Sequence, residues 1–345
     1  MSMASSVDGA LNVPIIDISA FRTGMGRREV ASAVDRAARD VGFMQIVGHG
    51  VPERAEAGLA TAMDAFFGLP LADKKAVRPE SAAVNRGYTP PKTERLSHSL
   101  GIYSSDDLFE AFNVGTQASD FPDLSLDAAH YPANLWPSGP PGFQRAVEDW
   151  FRHAGVLART MTRIFACALE LPADFFVPYE DHSIDVLRMN NYQVPERDLR
   201  LEPGQLGMGA HTDYGIVTVL WADAAPGLQI LDTGGHWHDV IPVPGALLIN
   251  LGDLLARWTG DRWISTMHRV LAPVSVDGRV FRRRSAAYFH DGNADAVITT
   301  LPGRTASYEP VTVADHLAAK LAGSRGLELN PEAAREAARL RAAVT

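Results

Sequence analysis

The spacing of apolar positions changes at about residue 185, and the change divides the chain into two styles of structure. Before it the period is mainly helical. Arg27–Arg39 carries Val30, Ala33, Val34 and Ala37 at three- and four-residue steps, which predicts a helix. Pro52 opens a second helix that runs to about Phe67. Phe143–Leu171 is the longest such pattern, with Trp150, Leu157, Met161, Ile164 and Phe165 recurring on one face. Two short runs, Asn12–Ile18 and Phe43–Val47, read as strands between the first helices, so the chain opens β-α-β-α. Arg78–Pro141 is rich in Pro, Ser, Asp and Gly and reads as long loops with short elements. Its acidic, Pro-containing part around Asp106–Pro122 is a candidate lid.

From Asp185 onward short apolar runs alternate with Gly, Pro and Asp turns: VLRMNNY, IVTVLWA, LQIL, HWHDVI, ALLINL, MHRVLAPV, FRRRSAAYF. Many short strands at close spacing predict a β-sandwich or barrel. The tail returns to helix at Val313–Leu321 and again at Pro331–Ala343.

Composition narrows the function more than the fold. The chain has 345 residues, 46% of them hydrophobic and 21% charged, enough to bury a large core without staples. A net charge of −9 argues against a nucleic-acid partner and against anionic membranes. No apolar run is long enough to span a bilayer, and the first residues lack a basic-then-apolar leader. A cytoplasmic enzyme is the expectation. The single cysteine, Cys167, excludes an internal disulfide and a multi-cysteine metal site, and reads as a small buried hydrophobe.

The chemistry lies in the second half. In Gly209-Ala210-His211-Thr212-Asp213, residues two apart on extended chain point the same way, so His211 and Asp213 can aim at one point. His268, heading MHRVL, can supply a third ligand. Two imidazoles and a carboxylate suit an iron(II) site with open positions for dioxygen and a co-substrate. Zinc can use the same set. His236 and His238 also stand two apart, but in a turn without a carboxylate pattern, and read as surface residues.

GMGAHTDYGIVTVLWADAAPGLQIL, ALLINLGDLLARWTGDRWISTMHRVL and RRRSAAYF, with VPIIDIS and GFMQIVGHGVP near the N-terminus, resemble the isopenicillin N synthase-like branch of the 2-oxoglutarate/iron(II) oxygenases. The resemblance covers most of residues 12–310. It implies a double-stranded β-helix (jelly roll) flanked by helices, with the iron at one end. It matches His211, Asp213 and His268 to the iron ligands, and Arg283 with Ser285 to the pair that grips the remote carboxylate of 2-oxoglutarate. Asn190 and Tyr192 match co-substrate-binding positions. Alternation on a strand puts Arg283 and Ser285 on one face and Arg282 and Arg284 on the other.

The implied reaction is oxidation, most simply hydroxylation, of a C–H bond with succinate and CO2 as co-products. Iron(II), 2-oxoglutarate and O2 take part, and ascorbate is a candidate stimulant. An oxidase, cyclase or desaturase of the same fold is the alternative, with a zinc hydrolase or a non-catalytic binding protein further off. Candidate substrate-lining residues are Tyr103, Phe109, Phe112, Trp221, Phe289 and Asp291, and a small natural-product or amino-acid-derived substrate is expected. A monomer or homodimer is expected. Residues 1–140 are read as an N-terminal α/β region packed on the core, 141–310 as a helix plus the jelly roll, and 311–345 as a helical tail.

Overall fold

The computed structural model describes residues 12–81, 84–193, 201–202, 204–274, 278–304 and 308–325. Its strands in chain order are β1 (Ile15–Asp17), β2 (Phe43–Val47), β3 (Gly87–Thr89), β4 (Glu110–Gly115), β5 (Val186–Tyr192), β6 (Leu206–His211) and β7 (Val217–Ala222). There follow β8 (Leu228–Leu231), β9 (Trp237–Asp239), β10 (Leu247–Leu251), β11 (His268–Leu271), β12 (Arg283–His290), β13 (Val297–Ile298) and β14 (Val311–Thr312). One sheet has the order β1-β2-β10-β7-β12-β5-β4-β3, and a smaller one the order β6-β11-β8-β9. All pairings within them are antiparallel except β1 with β2. Together they form the jelly-roll sandwich, an open pair of sheets and not a closed barrel.

The large sheet is covered on both faces, which explains its sequence. Leu187 and Met189 of β5 and Leu247, Ile249 and Leu251 of β10 belong to the outer core, packed with the helices. Those helices are Arg27–Asp40, Glu53–Phe67 and Phe143–Ala168, with Trp150 and Phe165 fully buried among them. The alternate residues face inward: Phe43, Tyr192, Met208, Leu228, Leu248 and Val270 form a second cluster between the sheets. Strands buried on both sides are expected to read as continuous apolar runs, so polar residues at inward positions stand out.

The stretch 78–141 is long loops with short elements, as expected, and one of those elements is β4, whose six residues are all buried. Its polar members obscure the strand: Glu110 accepts hydrogen bonds from Lys74 (2.7 Å), Tyr88 (2.7 Å) and Asn191 (2.9 Å). The candidate lid at Asp106–Pro122 is overturned over Asp107–Thr116, which are buried in the sandwich, while residues 117–122 stay at the surface. Cys167 is half-buried, not enclosed. The tail helix spans Val313–Arg325, and the helix expected at Pro331–Ala343 lies outside the described residues. Among the described residues no helix is long and apolar enough to cross a membrane.

Behind β12 the buried His290 lies between two acids. Its Nδ1 is 2.8 Å from Asp185 and its Nε2 2.8 Å from Glu180. Burial opposes its charge, but Asp185 and Glu180 outweigh that and raise it to about 9. A raised histidine stabilises the fold fully below its unfolded value of about 6.5 and stops doing so as pH rises through the folded one. The metal-free protein should therefore lose on the order of 3 kcal/mol between pH 6 and pH 9.5 from this group. Urea midpoints for wild type and His290→Gln check it: the fall should be much smaller in the variant, and equal falls would refute the assignment.

Candidate active site

The end of β6 and the start of β11 lie side by side, with His211 and His268 as register partners. Asp213 follows two residues after His211, as the extended-chain spacing requires. His211 and His268 Nε2 stand 3.9 and 3.6 Å from Asp213 Oδ1. One ligand atom from each of the three lies within 4.8 Å of the others, so the trio can hold a metal ion.

The surroundings fix the orientation of all three. His211 Nδ1 is 2.8 Å from the Gly209 carbonyl, and His268 Nδ1 is 3.0 Å from the Thr266 carbonyl. A carbonyl only accepts, so each Nδ1 carries the proton and each Nε2 keeps a lone pair for a metal. Asp213 Oδ2 accepts from Thr218 Oγ1 (2.5 Å) and Asn250 Nδ2 (2.6 Å), which leaves Oδ1 turned to the imidazoles. Phe43 meets the His268 ring edge-on at 5.3 Å. Burial and the neighbouring His268 push His211 down to about 3, so it stays neutral and ligand-competent at physiological pH. Asn250 and Thr218 escape the sequence reading, although each is a lone polar residue at an inward position of an apolar strand.

From this trio a cavity of about 570 Å³ opens between the sheets. Its wall includes every second residue of β12 and β5: Arg283, Ser285, Ala287 and Phe289, and Arg188, Asn190 and Tyr192. Arg283 pairs in register with Tyr192, and Ser285 with Asn190. Arg283 is 2% exposed, its guanidinium lies 5.0 Å over the Tyr192 ring, and Nε and Nη1 have no hydrogen-bond partner among the described residues. A buried cation without an anion is costly, so this arrangement calls for one from outside the chain. Arg284 points the other way, to Asp223 (3.3 Å) and Asp64 (2.8 Å).

Two family models match: the N-terminal region described as non-haem dioxygenase in morphine synthesis, over residues 13–139, and the 2OG-Fe(II) oxygenase superfamily, over residues 183–292. A 2-oxoglutarate-Fe(II) type oxidoreductase of Emericella nidulans is 32% identical over 314 residues, 88% of this chain and 87% of that protein. The chain belongs to the 2-oxoglutarate/iron(II) oxygenase superfamily. Validamycin A dioxygenase of Streptomyces hygroscopicus subsp. limoneus is 32% identical over 295 residues, 84% of this chain and 80% of that one. A Neurospora crassa protein, solved full-length in complex with alpha-KG and thymine, superposes with a TM-score of 0.79 at 27% identity, covering 93% of this chain and 99% of that one.

As a member of this superfamily the protein is an oxidoreductase, a dioxygenase that uses iron(II) and 2-oxoglutarate. The chain's own residues fit both. Two imidazoles with free Nε2 lone pairs and one carboxylate suit iron(II), and Arg283, with Nε and Nη1 unpartnered among the described residues, suits a carboxylate of the oxo acid.

The structure gathers the candidate substrate residues only in part. Phe289 and Asp291 line the cavity. Burial, with Asp185 and Asp213 nearby, pushes the Asp291 carboxyl up to about 8. Phe109 is buried beside Tyr192 (6.0 Å) under the Arg188 guanidinium (4.9 Å) and lies outside the lining. Phe112 and Trp221 face the outer core, because each occupies the outward register of its strand. Tyr103 is 76% exposed beside His98. Asp253, buried near the trio's loop, is salt-bridged to Lys320 at 2.8 Å. Arg269 reaches Gln229 (2.9 Å) and stacks 4.0 Å over Trp237. His236 is exposed, and His238 is paired with Asp232 at 2.7 Å.

Two other parts of the wall carry no local signal in the chain. Glu94 bridges Arg188 (2.6 Å) and Arg325 (3.3 Å), and Leu317 and Leu321 of the Val313–Arg325 helix close one side. Both depend on contacts between residues far apart in the chain.

Proposed function

We propose that His211, Asp213 and His268 hold the iron, that Arg283 and Ser285 hold the remote carboxylate of 2-oxoglutarate with Asn190 and Tyr192 beside them, and that the enzyme hydroxylates a C–H bond of a small molecule. The observation that carries this most is the buried Arg283, whose Nε and Nη1 have no partner among the described residues, in the same cavity as the His-Asp-His trio. When bound, iron and the oxo acid supply an O2-dependent C–H oxidation, with the oxo acid ending as succinate and CO2.

The protein's work is placement. Thr218 and Asn250 hold Asp213 so that one carboxylate oxygen faces the metal. The backbone carbonyls of Gly209 and Thr266 set both histidine tautomers. Arg283 gives the co-substrate its direction through a charge-assisted pair. The apolar inner residues Phe43, Leu220, Leu228 and Val270 keep the cavity dry and strengthen each of these interactions. A cavity of about 570 Å³ suits a small organic substrate. The names of two similar proteins, a validamycin A dioxygenase and the Neurospora crassa protein bound to thymine, support a compact polar substrate.

Succinate release should depend on iron(II), 2-oxoglutarate and an added small molecule, and that molecule should gain one oxygen atom by mass. Substrate-dependent turnover whose product has lost two hydrogens instead would replace hydroxylation with desaturation or cyclisation.

A further inference from the structure

One buried acid in the cavity has no part in holding iron or 2-oxoglutarate. Asp291 continues the inward series Arg283, Ser285, Ala287, Phe289, so it lies at the far end from the co-substrate arginine, about 26 Å along an extended chain. It is 6% exposed. Its carboxylate rests on Gly215, where an added Cβ would collide with Oδ1. Gly215 is two residues beyond Asp213, which places Asp291 next to the metal trio without being one of its members.

Among the described residues nothing donates to this carboxylate. Nearby cations are engaged elsewhere: Arg188 and Arg325 with Glu94, Lys320 with Asp253. His290, next in the chain, faces the opposite side of β12, towards Asp185 and Glu180. The wall of the same cavity includes Phe289, Tyr214, Leu317 and Leu321. A buried acid of this kind stays neutral while the cavity is empty, and a cation that arrives with the substrate would displace its proton to solvent and pair with the carboxylate.

We propose that Asp291 is the counter-ion for a protonated nitrogen of the substrate, which makes the substrate class a small amphipathic amine or guanidine. The inference rests on the reading of His211, Asp213 and His268 as the metal site, because proximity to the metal is what puts the nitrogen within a few bonds of the oxidised carbon. Asp291 is then a specificity-determining residue: it selects and orients the substrate, and the apolar side of the Val313–Arg325 helix takes the carbon frame.

Calorimetric titration tests this without turnover. Piperidine and L-homoarginine, both net cations, are titrated into the protein loaded with zinc(II) and 2-oxoglutarate, so that Arg283 is already occupied, with thymine and hexanoate as neutral and anionic controls. At least one cationic probe should bind, and bind tighter than both controls. Asp291→Asn, nearly isosteric, should weaken that probe about 30-fold, equivalent to about 2 kcal/mol, and leave hexanoate unchanged. Melting curves check that the variant is folded. If it is not, the ranking of probes by the wild type decides alone. Tighter binding of thymine or hexanoate, no binding of any cation, or equal binding by a folded Asp291→Asn would overturn the proposal. Binding of 2-oxoglutarate is titrated first and separately, so failure of the co-substrate reading shows there, and failure of a probe in the loaded protein counts against Asp291 alone.

Discussion

Asp213→Ala is expected to cut turnover by about 10³-fold or more, beyond the 10–100-fold that loss of an outer-shell partner costs. Asp213 is the only anion of the metal trio and the point on which its neighbours converge. One oxygen faces both imidazoles, and the other takes hydrogen bonds from Thr218 and Asn250. Removing the carboxylate takes away the charge that offsets the metal and leaves two buried donors unsatisfied. Iron content measured after anaerobic loading should fall with activity. An Asp213→Ala protein that keeps stoichiometric iron and near-normal turnover would remove Asp213 from the site.

Arg283→Met should weaken 2-oxoglutarate binding by roughly 2–5 kcal/mol, the cost of truncating one partner of a buried charge pair. In the absence of 2-oxoglutarate the sign differs. Arg283 is then a buried cation without a hydrogen-bond partner at Nε or Nη1 among the described residues, and exchange for an apolar side chain of similar length should leave the melting temperature unchanged or higher. The variant should also lose the rise in melting temperature that 2-oxoglutarate gives the wild type. Arg284→Ala is the control. Its ion pairs with Asp64 and Asp223 lie on the other face and are partly exposed, so its effect on 2-oxoglutarate binding should be within about twofold. A larger effect from Arg284 than from Arg283 would mean that the inward register of β12 is wrong by one residue.

How far the site is legible in the sequence depends on where strands can be recognised. His211 with Asp213, and Arg283 with Ser285, sit in runs whose extended character is plain, and period-two alternation puts each pair on one side. The same rule places Asn190 and Tyr192 on the face that the structure turns inward. Phe112 is misplaced because β4 is disguised by Glu110 and Asn113, and without a strand there is no face to assign. Trp221 lies in a clear strand, and the lone polar Thr218 at an inward position would have fixed its parity, a signal left unused. The Glu94 bridge to Arg188 and Arg325 joins residues 94 apart or more, a relation that no local pattern can express. The jelly-roll class itself is accessible, because strand spacing after residue 185 and the resemblance point the same way.

One cavity is assigned both iron(II), on His211, Asp213 and His268, and 2-oxoglutarate, on Arg283. Anaerobic titration of iron(II) and then 2-oxoglutarate into the purified protein, followed by visible absorption, tests that pairing most directly. A weak charge-transfer band should appear only when both are present, saturate at one equivalent of each, and be absent in Asp213→Ala. Iron binding with no band on addition of 2-oxoglutarate, or a full-strength band in Asp213→Ala, would contradict it.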